Sequence, residues 1–98
     1  MPAYVISEVE ILDETLVNKY KPLAKESINQ FGGNYLVRDA VPEALEGSCP
    51  PGKRLVVVRF NNLDTAHRWY ASTEYKQALA AANGALDRRL FVVEGLAG

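Results

Sequence analysis

Two segments of the chain are apolar on both of their alternating sides, and this pattern constrains the fold most strongly. In Arg54–Phe60, Leu55 and Val57 would point to one side of a strand, while valine and phenylalanine occupy the other. The segment Arg89–Glu94 alternates leucine and valine against phenylalanine and valine in the same way. A strand that is apolar on both sides is usually buried on both sides. The sheet containing these strands should therefore be covered on both faces.

The hydrophobic periodicity predicts four strands and two helical segments. The first helix should start after the N-cap residue Asp13 and end at Gly32-Gly33, with Pro22 either kinking it or starting its main segment. The second helix should start after Asn62 and break at Ser72, where a second cap restarts it. The predicted strands are Ala3–Ile11, Asn34–Asp39, Arg54–Phe60 and Arg89–Glu94.

The remaining segments are predicted to be connections. Ala40–Lys53 contains three prolines and two glycines, and we expect at most a short extended piece within it, at Ala44–Glu46. Gly95–Gly98 is expected to be a tail.

The resulting order β-α-β-β-α-β predicts an α+β fold, a ferredoxin-like plait formed by one domain over residues 1–98. Right-handed crossovers place both helices on one face of a four-stranded antiparallel sheet. The other face is left open although its side chains are apolar. We therefore predict a homodimer in which the open sheet face packs against a second copy.

Composition excludes several classes of function. With 11 Lys and Arg against 12 Asp and Glu, the net charge of −1 does not suit a nucleic-acid partner. The longest strongly apolar run, Leu55–Val58, is far shorter than a membrane span. The single Cys49 cannot form an intrachain disulfide or a multi-thiolate metal site, so no metal or cofactor is expected. We expect a cytoplasmic protein without nucleic-acid or membrane partners.

Charged residues inside the predicted strands are the first candidates for a site. They could lie at strand ends or edges in water. Alternatively, Glu8 and Arg38, together with Arg54, could converge on a polar pocket between the open sheet face and the partner protomer. Arginines there would suit a carboxylate ligand, because the guanidinium offers a planar fork of donors. The charged residues within the predicted strands are Glu8, Glu10, Arg38, Arg54, Arg59 and Arg89.

The aromatic residues are a second set of candidates, with packing as the main interpretation and ligand stacking as the alternative. They are Tyr4, Tyr35, Trp69, Tyr70 and Tyr75.

The lone histidine and cysteine offer weaker signals. His67 is expected to face solvent, which does not favour a metal or general-base role. Cys49 lies in a stiff proline-containing loop, where only Lys53 and Arg54 could activate a thiolate.

Several segments together resemble a known family. They include GGNYLVR at 32–38, KRLVVVRF at 53–60, WYASTEY at 69–75 and LFVVEG at 90–95. The chain resembles the family called domain of unknown function 1330, within the dimeric α/β-barrel superfamily, over nearly its whole length. The resemblance implies a ferredoxin-like protomer whose sheet faces that of a second copy, and it supplies no reaction.

Relatives in that superfamily include cofactor-free monooxygenases, haem-degrading enzymes, stress-responsive barrels and muconolactone isomerase-like proteins. They hold ligands between sheet and helices or within the barrel, although a shared fold is weak evidence for a shared activity. The chain departs from the family pattern at two positions. Cys49 stands where members often carry Trp, and His67 stands where members often carry a small residue. The positions that fit the family pattern and could face a pocket are Tyr4, Glu8, Arg38, Arg54, Trp69, Tyr70, Ser72 and Tyr75.

The leading hypothesis is a homodimer that binds a small organic acid in a pocket lined by Arg38, Glu8 and aromatic residues. If the protein also transforms that ligand, Glu8 would act as base and Arg38 would stabilise an anion, in acid–base chemistry or cofactor-independent oxidation. The alternative is a non-catalytic structural or sensor dimer whose strand charges form interface salt bridges. The pocket hypothesis requires Glu8 and Arg38 to border one cavity.

Overall fold

A computed structural model describes residues 1–96, so the last two residues of the predicted tail lie outside the described part of the chain. Within it the four strands form one sheet in which every neighbouring pair is antiparallel. Across the sheet the second strand of the chain is followed by the third, the first and the fourth. This topology confirms the predicted ferredoxin-like plait. The elements are β1 (Ala3–Ile11), α1 (Glu14–Gln30), β2 (Asn34–Ala40), β3 (Arg54–Phe60), α2 (Leu63–Ala71), α3 (Thr73–Ala81) and β4 (Leu86–Glu94).

Helix α1 begins and ends where its caps predict. The Asp13 carboxylate accepts a hydrogen bond from the Leu16 amide at 3.0 Å, which satisfies a free N–H of the first turn. The helix continues through Pro22, which therefore does not start a separate segment. After the helix, Gly32 adopts the left-handed φ of 71°, a conformation that favours glycine. A side chain at Gly33 would collide with Phe60, so this turn packs directly on the sheet.

The second helical segment breaks at Ser72, as predicted. The Ser72 hydroxyl donates to the Trp69 carbonyl at 2.6 Å and accepts from the Tyr75 amide at 3.1 Å. One residue therefore closes α2 and caps α3. This cap fixes where Tyr75 enters the core, because Tyr75 lies in the first turn of α3.

The sequence prediction differs from the structure at two places. Strand β4 begins at Leu86 and not at Arg89, because β1 continues to Ile11 and pairs with Leu86 there. No strand forms at Ala44–Glu46, since this segment has no strand to pair with and the Leu45 side chain is 97% exposed.

The two faces of the sheet have different neighbours. The helix side carries Ala3, Val5 and Val9 of β1, which are all buried, and Ala3 and Val5 belong to a core cluster with residues of all three helices. On the opposite side, here called the open face, Ile6 lies between Val57 of β3 and Phe91 of β4. Exposed apolar side chains remain on the open face, with Phe91 41% and Val93 44% exposed. Of the helices in residues 1–96, none combines the length and apolarity required to cross a membrane.

Candidate functional site

A cavity of about 70 Å³ lies between the helix side of the sheet and the helices. Most of its wall is aliphatic, contributed by valines, isoleucines and leucines of the strands and of α1. One water needs roughly 10–15 Å³ by the same kind of measure, so the cavity has room for several waters or a small organic molecule. Its few polar groups therefore decide what it can hold. These are Ser7, Tyr20, Tyr35, Arg38, Trp69, Tyr75, Arg88, and the ion pair of Lys21 with Asp39.

Three of the polar side chains form a closed hydrogen-bonded cluster. The Arg88 guanidinium donates through Nη1 to the Tyr20 hydroxyl at 2.9 Å and through Nη2 to the Tyr75 hydroxyl at 2.5 Å. The two hydroxyl oxygens lie 3.0 Å apart and hydrogen-bond to each other. We call this group the Arg88 cluster. It joins β4, α1 and α3 around one positive charge.

The geometry of the elements explains why these residues meet. Arg88 pairs with Val9, a helix-side residue of β1, so its side chain also points to the helix side. Tyr20 reaches the same point from α1, and its ring stands edge-on to that of Tyr75, with centroids 6.4 Å apart. The Ser72 cap sets the position of Tyr75 on α3.

The cluster holds a cation without a carboxylate partner among residues 1–96. The salt bridges there involve other pairs: Lys21–Asp39, Lys53–Asp87, Arg68–Asp64 and Arg89–Glu8. Burial acts to lower the pKa of Arg88, but the oxygens of Tyr20 and Tyr75 outweigh it and raise the pKa above its ordinary value. Arg88 is therefore cationic at any physiological pH.

The Tyr75 hydroxyl stays protonated, and the cluster has a hydrogen-bond donor to spare. Burial, helped by the neighbouring Tyr20, raises the pKa of Tyr75, and the opposing effect of Arg88 is smaller. Two phenols carry two protons, of which one is used in the bond between them. The second hydroxyl proton and the remaining guanidinium N–H groups can be donated to an anion.

The raised pKa of Tyr75 predicts a loss of stability at alkaline pH. Because the unfolded chain releases this proton near the ordinary value of 10.0 and the folded chain retains it, stability is complete below pH 10 and falls above it. The slope from this group approaches ~1.4 kcal/mol of unfolding free energy per pH unit. Urea unfolding of Tyr75→Phe between about pH 9 and 11 should show a smaller decline than the wild type.

The exposed Tyr70 provides the matched control, since Tyr70→Phe removes a hydroxyl that belongs to no such cluster. If the free energy of unfolding fell equally steeply with pH in Tyr75→Phe and in the wild type, the assignment of the retained proton to Tyr75 would be contradicted.

Four of the candidate residues predicted from the sequence line the cavity: Tyr35, Arg38, Trp69 and Tyr75. The Arg38 guanidinium carbon lies 4.6 Å from the centre of the Tyr35 ring, an exposed cation stacked at the edge of the cavity. Trp69 is 2% exposed and donates through Nε1 to the Ser27 hydroxyl at 3.1 Å.

Glu8 and Arg38 do not border one cavity, so that part of the prediction is wrong. Glu8 pairs with Leu55 and Arg89 and lies on the open face, where Arg89 Nη2 contacts both of its carboxylate oxygens at 2.8 and 2.9 Å. A register shift in β2 between Tyr35 and Val37 carries Arg38 to the helix side. A single bulge therefore separates the two residues by the thickness of the sheet.

The other sequence candidates occupy several positions. Tyr4 lies on the open face, paired with Arg59 and Val93, and leaves no space for a side chain at Gly95. Arg54 is the first residue of β3 and donates to the Asp39 carbonyl at 3.2 Å.

On the second helical segment, Ser72 caps α3 and is not among the residues that line the cavity. Tyr70 and His67 border a separate shallow groove beside β4, with His67 exposed as expected. Cys49 is partly buried and forms no disulfide within the described residues.

Sequence reasoning missed Arg88, Tyr20 and Ser7 as site residues. A signal for Arg88 was present, because Leu86, Arg88 and Leu90 alternate on one side of a strand if that strand starts early enough. Tyr20 follows Leu16 by four residues and precedes Leu23 by three, which is the spacing of an apolar helix face and indicates packing. Ser7 carried no chemical motif of its own.

The fold and the cavity define a small ferredoxin-like α+β protein with a cationic pocket between its sheet and its helices. The chain belongs to the family described as Domain of unknown function (DUF1330), which matches residues 2–96. This membership confirms the resemblance seen in the sequence. No protein of curated function matches the chain significantly.

Solved structures of similar fold have low sequence identity to the chain. A protein of unknown function from Rhodopseudomonas palustris has 13% identity and a TM-score of 0.75, over 99% of this chain and 84% of that one. A dimeric protein of unknown function and ferredoxin-like fold from Bacteroides fragilis has 12% identity and a TM-score of 0.64, over 96% of each chain. SnoaB, a cofactor-independent oxygenase from Streptomyces nogalater, has 7% identity and a TM-score of 0.59, over 99% of this chain and 95% of that one. At these identities the likeness establishes the fold alone.

Proposed function

We propose that the protein binds a small organic acid in the cavity, with the ligand carboxylate held by the Arg88 cluster. The observation that supports this proposal is a guanidinium that faces a largely apolar cavity and whose partners within residues 1–96 are hydroxyl groups. A partly buried cation without a counter-ion is costly, and a carboxylate would supply both the charge and the acceptors it lacks. A guanidinium and a phenol are also donors of suitable geometry for a carboxylate.

The size and walls of the cavity limit the rest of the ligand. A volume of about 70 Å³ suits an acid with a short aliphatic or compact unsaturated body. The aromatic rings of Trp69 and Tyr75, with centroids 4.2 Å apart, and the surrounding aliphatic side chains would contact that body.

Binding is supported better than turnover. The base expected from the sequence, Glu8, lies on the open face in a salt bridge with Arg89. Asp39 is the one carboxylate among the described cavity residues, and Lys21 pairs with it at 3.0 Å. A cofactor-independent enzymatic role has only the fold likeness to SnoaB in its favour.

Isothermal titration with butyrate and with its neutral amide tests the proposal directly. Butyrate should bind at least about 10-fold more tightly than butyramide, because only the anion pairs with Arg88. Both probes have the same number of heavy atoms and nearly the same shape, so the comparison isolates the charge. Equal affinities, or no binding of either probe, would contradict the proposed function.

We also propose that two copies pair through their open faces. The open face carries Ile6, Val57 and Phe91 in one row across three strands, all apolar and none covered by the helices of the same chain. Large exposed apolar patches on small proteins usually mark an interaction surface, and a twofold axis would place each row against itself. The dimeric Bacteroides fragilis protein of the same fold supports this arrangement. A cytoplasmic location remains a prediction from the sequence.

A further inference from the structure

Ser7 has a buried hydroxyl group without a hydrogen-bond partner among the described residues. The residue lies in the middle of β1, is 4% exposed and lines the cavity. Buried hydroxyl groups nearly always have a partner, because losing water without a replacement bond destabilises the fold. An orphaned hydroxyl at a cavity wall is therefore a site for something the protein chain does not supply.

Ser27 shows what a satisfied buried serine looks like in the same protein. Its hydroxyl donates to the Ala24 carbonyl at 2.7 Å and accepts from the Trp69 indole at 3.1 Å. The core thus provides full hydrogen bonding for one buried serine and none for Ser7. Packing alone would be equally well served by alanine at position 7.

The sheet register places Ser7 close to the Arg88 cluster. Ser7 pairs with Leu90, and Arg88 is two residues away from Leu90 along β4 on the same side. Such diagonal neighbours have α-carbons about 7–8 Å apart. One small molecule can therefore contact both residues, with the aliphatic wall of Val9 and its neighbours beside it.

We propose that the ligand is a hydroxy or oxo acid, with its carboxylate on Arg88 and its second oxygen hydrogen-bonded to Ser7 Oγ. This inference rests on the proposed acid-binding function and adds the second recognition point. A serine hydroxyl both donates and accepts, so it accommodates either a hydroxyl or a carbonyl. A site that hydrogen-bonds a ligand oxygen discriminates strongly against the analogue without it, because the partner is left buried and unpaired.

The test compares wild-type protein with Ser7→Ala by isothermal titration. The probes are butyrate, the α-, β- and γ-hydroxybutyrates, and α-oxobutyrate. At least one oxygenated acid should bind the wild type about 10-fold more tightly than butyrate does. Ser7→Ala should abolish that preference, so that the variant binds butyrate and the oxygenated acid with affinities within about twofold of each other.

The variant also reports on the cost of the orphaned hydroxyl. Without ligand, Ser7→Ala should melt at the same temperature as the wild type or a few degrees higher, because it removes an unsatisfied polar group and keeps the volume nearly unchanged. That result would establish that any change in binding does not come from damaged folding.

The outcomes separate this inference from the proposed function. If butyrate binds but no oxygenated acid is preferred, or if the preference persists in Ser7→Ala, the role of Ser7 is overturned and acid binding stands. If no acid in the panel binds, both are overturned. A melting temperature several degrees lower for unliganded Ser7→Ala would show that Ser7 has a structural partner and would also overturn the inference.

Discussion

Arg88→Met should weaken the binding of small carboxylates to this protein by about 100-fold. Each hydrogen bond between a charged donor and its acceptor contributes roughly 1.5–3 kcal/mol, and about 100-fold in affinity corresponds to ~2.7 kcal/mol. Methionine retains an unbranched apolar stem of comparable length, so packing against the ring of Tyr20 is largely preserved. The two tyrosine hydroxyls can still hydrogen-bond to each other, which limits the damage to the fold.

The adjacent residue gives a matched control. Arg89→Met removes the same charge one position along β4, on the open face, where Arg89 is paired with Glu8. Titration of both variants with butyrate should show the loss for Arg88→Met and near wild-type affinity for Arg89→Met. If Arg89→Met lost affinity and Arg88→Met kept it, the acid would be placed on the open face, where Glu8 lies.

Phe91→Glu should convert a dimer into a monomer at micromolar concentration. Phe91 lies on the open face beside Ile6 and is 41% exposed in the single chain, so the substitution does not alter the core of the protomer. In the proposed dimer each copy would bury a glutamate carboxylate against the apolar row of its partner, which costs free energy. We expect the dissociation constant to rise by at least about 100-fold, the range seen for aromatic residues central to an interface.

Sedimentation velocity over a range of concentrations measures this effect. Leu45→Glu is the matched control, because Leu45 is an exposed apolar residue of the loop after β2, outside the strands that form the open face. It should leave the association state unchanged. A wild-type chain that sediments as a folded monomer at these concentrations would contradict the proposed interface, as would a Phe91→Glu protein that remains dimeric.

The sequence was sufficient for the fold because the relevant signals are local and agree with each other. Caps at Asp13, Asn62 and Ser72 mark helix starts, and each side chain makes the predicted bond to a backbone amide. The two-sided apolar pattern in β3 and β4 predicted a layer on each face, and the structure places the helices on one of them. Periodicity alone could therefore place four strands and their helices.

The site depended on register, which the sequence does not state. Arg88 and Arg89 are adjacent, so one must face the helices and the other the open face; only the pairing of β4 with β1 decides which. The β2 register shift that moves Arg38 to the helix side leaves no unmistakable mark in Asn34–Ala40. The same applies to Ser7, whose importance comes from having no hydrogen-bond partner among residues 1–96 of the folded protein.

Trp69, the only tryptophan in the chain, has a consequence for how this protein can be studied. Its ring lines the cavity and packs against Tyr75, a member of the Arg88 cluster. Indole emission depends on the polarity and the quenching groups within a few ångströms of the ring. The protein thus carries an intrinsic fluorophore in the wall of the proposed binding site, so occupancy of the cavity can be followed optically without a label.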